Sequence, residues 1–398
     1  MKVQHILPTY LIKFYHLIYR VRILFFIILL SLFILIHNFP DQADIRLCFV
    51  DHTANEYNTL GLRRLEDILL ADRKPTPGKS IFFHETSCHL PLKSKVSFFD
   101  SFGSVVRSKA AIAAGTTPSP LPHGVYIVGL NARQACAVES AALHNPNFDV
   151  FVLFASAGYL DNTTVHPVLD AVLSYPNVQL RNLNLWTYAA KTPIHEWLKN
   201  GKLFASKYVL SHISDFLRYL TLWRWGGTYL DLDVIVKRTF EDVPPNFTGA
   251  ESSTAIAAGV MNFAPDGFGH EIAEQCLRDL QHNFDGTMWG NNGPGVITRV
   301  MQNVCRTRNI AIMNRERCMG FNIYPKEAFY AIPWALWDHF FEAQYLEETL
   351  KETQHSFVAH FWNKFSMQRR IKVGSNVAYG KLAEVHCPKV YAASGEFF

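Results

Sequence analysis

The sequence has little net charge, no Cys-x-x-Cys pair and no internal repeat. Its 398 residues include 38 Lys and Arg and 34 Asp and Glu, which gives a formal net charge of +4. Without a Lys/Arg-dense stripe interleaved with aromatics, the chain lacks the electrostatic footprint of a nucleic-acid-binding protein. The spacing of its cysteines excludes the usual structural zinc motifs.

Hydrophobic residues, by contrast, are abundant. They make up 49% of the chain and aromatics 14%, so a large core can form and extensive disorder is excluded. The length allows one large α/β domain together with a membrane anchor.

The N-terminus carries an uncharged apolar run, Ile23–Ile36, extendable to Phe39. As a helix, residues 23–39 would span roughly 25 Å, slightly less than the ~30 Å hydrocarbon core of a bilayer. Basic residues precede the run and acidic residues follow it, so the positive-inside rule predicts a cytoplasmic N-terminus. A cleaved signal peptide is the alternative, but no convincing small-residue cleavage site follows. We therefore expect a type II signal anchor.

Cysteine usage agrees with a lumenal domain. The seven cysteines are spread along the chain, and an odd number leaves at least one without an intramolecular partner. Cys305 with Cys318 is a candidate local bridge and Cys88 with Cys136 a candidate longer one, although sequence does not fix connectivity. Asn162 and Asn246 begin glycosylation motifs, which have meaning only in the secretory pathway.

Strand-like and helix-like segments alternate after Lys79, which is typical of an α/β sheet covered on both faces. We expect ligands beyond the carboxyl ends of its strands. Residues 40–78 are predicted to be a stem containing a weak helix around Leu60–Leu70. The resulting organisation is a cytoplasmic tail (1–22), an anchor (23–39), the stem (40–78) and a lumenal domain (79–398).

The stretch Leu210–Val236 is the most informative part of the chain. Its apolar residues recur at helical spacing at Ile213, Phe216, Leu217, Leu220 and Trp223. Gly226 and Gly227 are expected to end this helix in a left-handed conformation. The apolar residues Thr228–Val236 then predict a buried strand.

Asp231 and Asp233 lie within that predicted strand. Two carboxylates in a core strand are costly to desolvate without a partner, and a divalent cation with phosphate oxygens beyond it fits them best. The alternative is a solvated turn, since Asp-x-Asp is common. On the preceding helix, Asp215 and Arg218 are one turn apart and can share a face.

Two later segments add ligand candidates. The glycine-rich turn Thr287–Gly295 precedes a helix predicted over Val296–Cys305, and its free N–H groups could face a ligand, an ordinary loop being the alternative. The apolar run Phe357–Ala359 could return as a strand beneath the carboxylates, which would make the following His360 either a metal ligand or a core residue.

The stretch resembles the signature of retaining glycosyltransferases of the GT-A fold with a DXD sugar-binding region. The matching residues are Ser214, Asp215, Arg218, Tyr219, Leu222, Gly226, Gly227, Tyr229, Asp231 and Asp233. From about Ile81 to Pro388 the chain is similar to the group of lactosylceramide 4-alpha-galactosyltransferases and alpha-1,4-N-acetylglucosaminyltransferases. Further markers of that group are the segments 82–87, 136–142, 289–300, 329–337 and 360–366.

The resemblance implies a GT-A type, Rossmann-like, mostly parallel sheet covered by helices. It also implies transfer of galactose or N-acetylgalactosamine from a UDP-sugar, with retention, in an alpha-1,4 linkage to a lactosylceramide-like glycosphingolipid. The implied location is the Golgi membrane, with the catalytic domain in the lumen. An invertebrate branch similar to this chain uses UDP-N-acetylgalactosamine.

The resemblance further implies Mn²⁺, or Mg²⁺, held by Asp233, Asp231 and His360. Asp231, Asp233 and Asn292 are the candidate catalytic residues, although the Asn292 amide is a poor nucleophile. Front-face attack, with the departing phosphate taking the acceptor proton, is therefore favoured. The expected substrate-binding residues are Thr86 and Ser87 near uridine, Asp215 and Arg218 on sugar hydroxyls, Tyr229, Gly293, and a C-terminal lid of Trp362, Asn363 and Ser366.

One departure concerns the donor sugar. The vertebrate galactosyltransferases carry His-Gln where this chain has Asn291-Asn292. Leu232, between the two aspartates, is expected by strand alternation to point away from the metal. Transfer from UDP-N-acetylglucosamine to O-glycans and from GDP-mannose are the alternative reactions. An inactive sugar-binding protein is the non-enzymatic alternative, and a homodimer is a further expectation.

Overall fold

The structure is a computed structural model that describes residues 21–22, 45–46, 48–49, 62–88, 127–156, 158–161 and 164–398. The strands are β1 (Leu62–Arg64), β2 (Ser80–Glu85), β3 (Asp149–Phe154), β4 (Tyr159–Asp161), β5 (Val178–Asn182), β6 (Gly227–Leu230), β7 (Val234–Val236), β8 (Phe247–Ala250), β9 (Ile256–Phe263), β10 (Asn322–Tyr324) and β11 (Val358–His360).

The helices cover the sheet and complete the C-terminal part. They are α1 (Ala132–His144), α2 (Pro167–Leu173), α3 (Leu185–Ala189), α4 (His195–Lys199), α5 (Val209–Trp225), α6 (Gly267–Asn283), α7 (Pro294–Val304), α8 (Leu346–Glu352), α9 (Asn363–Ser366), α10 (Ala378–His386) and α11 (Pro388–Ala393).

Seven strands form one sheet in the order β10-β8-β9-β6-β2-β3-β5. Four neighbouring pairs are parallel, and β9 runs antiparallel to both β6 and β8. The expectation of a mostly parallel sheet therefore needs a correction to a mixed one. The five residues 251–255 between β8 and β9 are too few for a parallel crossover, so the two strands form a hairpin.

Both faces of the sheet are buried, as the alternating pattern predicts. Ile81 and Phe83 of β2 pack into a core with α1, α10 and α11. Phe82, between them, points to the opposite core, which α5, α6 and α7 cover. Side chains of a strand alternate between faces, so one six-residue strand serves both layers.

The stretch predicted as one strand over Thr228–Val236 forms two strands in different sheets. β6 belongs to the central sheet, whereas β7 pairs with β11. Residues 231–233 connect the two strands, with a turn at Leu232 and Asp233. The prediction was wrong because the sequence stays hydrophobic across the point where the chain changes from pairing in the central sheet to pairing with β11. Leu232 accordingly does not point away by strand alternation; it lines the same cleft as the two aspartates.

The segment before Lys79 packs against the domain in its described part. Instead of a helix around Leu60–Leu70, the structure has β1, paired with β4, followed by a turn. Ile68 is fully buried, and Phe49, at 2% exposure, contacts Phe204. Within the described ranges no helix is long and apolar enough to cross a membrane, and the predicted anchor 23–39 lies outside them.

Three disulfides join the described cysteines. Cys305–Cys318 is confirmed. The expected Cys88–Cys136 pair is wrong, since Cys88 bonds to Cys48 and Cys136 to Cys387. Cys276 is free and buried. Cys136 lies on α1, which packs against α10 and α11, and this long-range packing, invisible in sequence, brings it to the C-terminus.

Candidate active site

A polar cleft opens at the carboxyl ends of β2 and β6, where the α/β pattern predicts a ligand site. Glu85, the last residue of β2, and Asp231, just after β6, lie on its walls. The lining residues are His84, Glu85, Thr86, Asn131, Arg133, Gln134, Ser214, Tyr229, Asp231, Leu232, Asp233, Phe361, Asn363, Ser366 and Tyr379.

Asp231, Asp233 and His360 converge in this cleft. The Nε2 atom of His360 lies 3.6 Å from Oδ2 of Asp231 and 3.4 Å from Oδ1 of Asp233. Candidate ligand atoms of the three residues lie within 4.8 Å of one another, close enough to share one metal ion. β11 returns antiparallel beside β7 and pairs His360 with Val234, so the predicted strand beneath the carboxylates is confirmed.

The donor set fits a divalent cation, because carboxylate oxygens suit Mn²⁺ or Mg²⁺ and a neutral imidazole is a common metal ligand. The backbone leaves room for this group at Gly259. A Cβ there would lie 2.7 Å from Oδ2 of Asp231 and 3.0 Å from Nε2 of His360. A side chain at this position would therefore push two of the three ligands out of place.

The charges of the triad are unequal. Burial tends to raise the pKa of Asp231, but Arg218 and His360 outweigh burial and lower it to about 2. Burial raises the pKa of Asp233 and the charge of Asp231 adds to the increase, against the lowering effect of His360. Burial alone would lower the pKa of His360, yet the two carboxylates raise it. Asp231 is thus the carboxylate that holds its charge more firmly.

Arg218 and Tyr229 position Asp231. The Tyr229 hydroxyl donates to Oδ1 of Asp231 at 2.6 Å, and the Arg218 guanidinium lies 3.4 Å from that oxygen and 4.8 Å above the Tyr229 ring. Arg218 also pairs with Asp215 at 3.2 Å, which confirms their predicted shared face. Burial raises the pKa of Asp215 to about 7, against the lowering effect of Arg218.

Asp215 and Arg218 are buried and lie behind the cleft wall, which Tyr229 and Ser214 form. Direct contact with sugar hydroxyls remains a prediction for both residues. What the structure shows for Arg218 is an ion pair that fixes Asp231.

Thr86 and Ser87 follow β2 at the rim. The Thr86 hydroxyl donates to the Leu210 carbonyl at 3.2 Å, and Thr86 lines the cleft. The backbone N–H and hydroxyl of Ser87 both donate to Glu85 Oε1, at 3.0 and 2.6 Å. Ser87 is therefore engaged in a local turn, and its proximity to uridine remains a prediction.

The expected C-terminal lid residues lie directly beside the triad. The backbone N–H of Asn363 donates to Oδ2 of Asp233 at 2.6 Å, and that of Trp362 to Nδ1 of His360 at 3.2 Å. Trp362 has a left-handed backbone conformation, with φ 52° and ψ 56°, which turns the chain toward Asp233. Ser366 is buried and its hydroxyl donates to the Phe361 carbonyl at 2.7 Å.

Asn292, expected to be catalytic, is fully buried outside the cleft lining. Its amide donates to the Asp285 carbonyl at 2.8 Å, and its Oδ1 accepts from the Asp285 N–H at 3.0 Å. These two hydrogen bonds tie Asn292 to Asp285 within the loop, and a catalytic role for Asn292 remains a prediction. Gly293 next to it faces Asp215, whose carboxylate a Cβ would meet.

One of the two glycosylation motifs lies in the described part of the chain. Asn162 lies outside the described residues. Asn246 is half-buried with φ 68°, and its side-chain oxygen accepts from the Ala264 N–H at 2.7 Å. Its glycosylation remains a prediction.

Two residues that line the cleft, His84 and Arg133, were not predicted as site residues from the sequence. His84 is buried, 3.0 Å from the Thr221 hydroxyl, and burial together with Arg218 lowers its pKa to about 3. Arg133 bonds to the Ser366 carbonyl at 2.9 Å and faces Tyr379. His84 stands in the segment 82–87 that carries part of the resemblance, but nothing local marks Arg133, which only tertiary packing brings to the cleft.

Comparison with known proteins places this site in a family. Residues 131–252 match the glycosyltransferase sugar-binding region containing a DXD motif, and residues 265–394 the alpha 1,4-glycosyltransferase conserved region. Lactosylceramide 4-alpha-galactosyltransferase of Homo sapiens is 30% identical over 290 residues, covering 70% of this chain and 80% of its own. The chain belongs to the alpha-1,4-glycosyltransferase family.

Two further matches are more distant. Alpha-1,4-N-acetylglucosaminyltransferase of Homo sapiens is 27% identical over 263 residues, covering 65% of this chain and 74% of its own. The apo form of the glycosyltransferase GlyE of Streptococcus pneumoniae has 12% identity and a TM-score of 0.37, covering 80% of this chain and 62% of its own.

Family membership fits the architecture and the triad. The mixed sheet with helices on both faces, and with Asp231 and Asp233 just beyond a strand end, is a GT-A-like arrangement. A hexosyltransferase with a divalent metal is therefore the family activity, and Asp231, Asp233 and His360 are the residues that could hold the ion.

Proposed function

We propose that this alpha-1,4-glycosyltransferase moves galactose or N-acetylgalactosamine from a UDP-sugar to a lactosylceramide-like glycosphingolipid, with retention of the alpha configuration. The observation that carries the proposal is the convergence of Asp231, Asp233 and His360 at the carboxyl end of β6. The acceptor class follows the name of the relative that is 30% identical.

The triad would hold Mn²⁺, which when bound would neutralise the charge that develops on the departing diphosphate. The chain's own residues prepare this site. Arg218 and Tyr229 keep Asp231 ionised and oriented. Asn363 directs its N–H at Asp233, which ties residues 362–366 to one of the candidate ligands.

Retention is proposed by front-face attack. Besides the two aspartates, Glu85 is a carboxylate that lines the cleft. It accepts two hydrogen bonds from Ser87 in a local turn, so we do not propose it as a covalent nucleophile. The acceptor hydroxyl would attack the anomeric carbon on the side from which UDP leaves. Its proton would pass to the departing phosphate oxygen as the glycosidic bond to UDP breaks.

We propose a type II orientation in the Golgi membrane, with residues 23–39 as anchor and the catalytic domain in the lumen. The sequence pattern of basic residues before the apolar run supports it. The disulfides of the described domain suit an oxidising compartment. A homodimer remains a prediction.

Donor screening of the detergent-solubilised full chain tests the function. UDP-galactose, UDP-N-acetylgalactosamine, UDP-N-acetylglucosamine and GDP-mannose are each offered with lactosylceramide and Mn²⁺, and products are analysed by mass spectrometry. We expect a product with one of the first two donors, lost with EDTA and in Asp233→Asn. A product from UDP-N-acetylglucosamine or GDP-mannose alone would replace the proposed donor.

A further inference from the structure

Six large apolar side chains stand exposed at one side of the cleft. They come from three separate segments of the chain, and we call them the aromatic rim: Met288, Trp289, Trp334, Leu336, Phe365 and Met367. Trp334 is 50% exposed and Met288 59%. Monomeric soluble domains rarely leave such residues together in water, and a contiguous apolar patch marks a binding surface.

Contacts join the three segments of the aromatic rim. The rings of Trp334 and Phe365 stack with centroids 5.7 Å apart. The ammonium of Lys364 lies 3.7 Å from the Trp289 ring centroid and 5.6 Å from that of Phe365. The indole N–H of Trp362 donates to the Ile332 carbonyl at 2.9 Å, which fixes the 332–334 segment beside α9.

The aromatic rim borders the catalytic cleft through α9. Asn363 and Ser366 line the cleft, whereas Lys364 and Phe365 between them are exposed on the outside of the same short helix. The N–H of Asn363 donates to Asp233 at 2.6 Å, so Phe365 of the rim lies two residues from a group that touches a candidate metal ligand.

The chain length before the domain limits where a membrane can be. The proposed anchor ends at residue 39, and Cys48 is already tied to Cys88 while Phe49 is buried beside Phe204. Nine residues span at most about 30 Å even when fully extended. The catalytic domain is therefore held close to the bilayer surface, and some face of it must be turned toward that surface.

We propose that the aromatic rim is this face and lies in the interfacial layer of a lipid bilayer, so that the cleft opens onto the head groups of glycolipid acceptors. The inference rests on the proposed function and anchor. Tryptophan favours the boundary between head groups and acyl chains, and a lysine beside it can extend its ammonium to the phosphates. A lipid surface matches this combination of aromatic and aliphatic side chains with a cationic side chain beside them.

Brominated lipids test the position of the rim without relying on activity. All eight tryptophans lie between residues 186 and 362, so none belongs to the proposed anchor. In vesicles that contain the full chain and lipids brominated near the head group, we expect quenching of tryptophan fluorescence. Trp334→Phe should lose part of the quenched amplitude, and the half-buried control Trp186→Phe should not.

Comparing a membrane-embedded acceptor with a water-soluble one tests whether the rim contributes to glycosyl transfer at a lipid surface. The double variant Trp334→Ser/Leu336→Ser should lower kcat/KM ~10-fold for lactosylceramide embedded in vesicles, since exposed apolar area is removed from the lipid contact. Turnover of a water-soluble lactoside should stay unchanged. Leu70→Ser and Val165→Ser, at residues that are 83% and 79% exposed elsewhere, serve as matched controls and should affect neither acceptor.

The possible outcomes distinguish a failure of the proposed lipid contact from a failure of the proposed function. Absence of quenching in the wild type, or equal quenching in Trp334→Phe, overturns the rim as a lipid contact. An equal loss on both acceptors also overturns it and makes the rim a platform for the acceptor sugar. If the wild type transfers to neither acceptor, the proposed function fails, and the quenching experiment alone decides the position of the rim.

Discussion

At the residue scale, the two aspartates of the triad differ in pKa. The pKa of Asp231 is lowered, so this carboxylate stays ionised, whereas burial raises the pKa of Asp233. We predict that Asp233→Asn keeps the fold, because the amide oxygen can still accept the N–H of Asn363. Loss of one transition-state charge contact typically costs ~10²–10³ in rate, and loss of the metal should exceed that. Metal-dependent UDP-sugar hydrolysis measures the effect, with thermal melting as the control; wild-type turnover would make the carboxylate structural.

His360 combines two roles, since it is a candidate ligand and also packs against the rings of Tyr330 and Trp362. We predict that His360→Ala weakens Mn²⁺ and UDP binding together. Because the ring is also buried, the metal-free protein should lose a typical ~1–3 kcal/mol of stability. Titration of Mn²⁺ followed by calorimetry decides the point, since a purely structural histidine would leave metal affinity unchanged.

At the scale of elements, the double glycine between α5 and β6 sets where the carboxylates emerge. Gly226 and Gly227 have φ of 62° and 81°. The ψ of Gly226 is −151°, so the predicted left-handed cap is replaced by another conformation that favours glycine. A Cβ at Gly227 would collide with the Ser80 carbonyl, beside the β2–β6 pairing.

We predict that Gly227→Ala destabilises the domain by more than the ~1 kcal/mol of backbone strain alone, because the collision also separates β6 from β2. Gly374→Ala is the matched control, since Gly374 has φ 83° and a Cβ added there would meet nothing within 4 Å. Urea unfolding of both variants gives the comparison. Equal losses would show that the contact with Ser80 relaxes freely.

At the scale of the whole molecule, histidine burial makes stability depend on pH. The Nε2 atom of His144 on α1 lies 2.9 Å from Nδ1 of His386 on α10. Burial, His144 and Lys237 lower the pKa of His386 to about 4, and burial lowers that of His144. The unfolded chain, with ordinary histidines near 6.5, binds more protons than the folded one below that value.

We therefore predict that the contribution of the His144–His386 pair to stability is complete above about pH 6.5 and declines as the pH falls toward 4. Urea midpoints at pH 7.5, 6.0 and 5.0 measure the decline. His386→Gln removes one titrating group and should flatten the dependence over this range. An unaltered dependence of the midpoint on pH in the variant, compared with the wild type, would contradict the expectation.

The sequence alone determined the local parts of the site and fold. Helical spacing placed α5 and its buried face, and fixed spacing placed Asp215 one turn from Arg218. The apolar run before His360 predicted a strand that could return beneath the carboxylates. These features depend on residues within a few positions of one another, so periodicity and motif spacing contain them.

Tertiary structure decided what depends on distant partners. The break of Thr228–Val236 into β6 and β7 follows from pairing with β11, more than a hundred residues later, and no local pattern signals it. Contacts between residues distant in sequence also decide three other features. These are the Cys136–Cys387 disulfide, the position of Arg133 in the cleft and the burial of Asn292 outside it. Long-range packing chooses among local possibilities of similar energy, and that choice is made only in the folded chain.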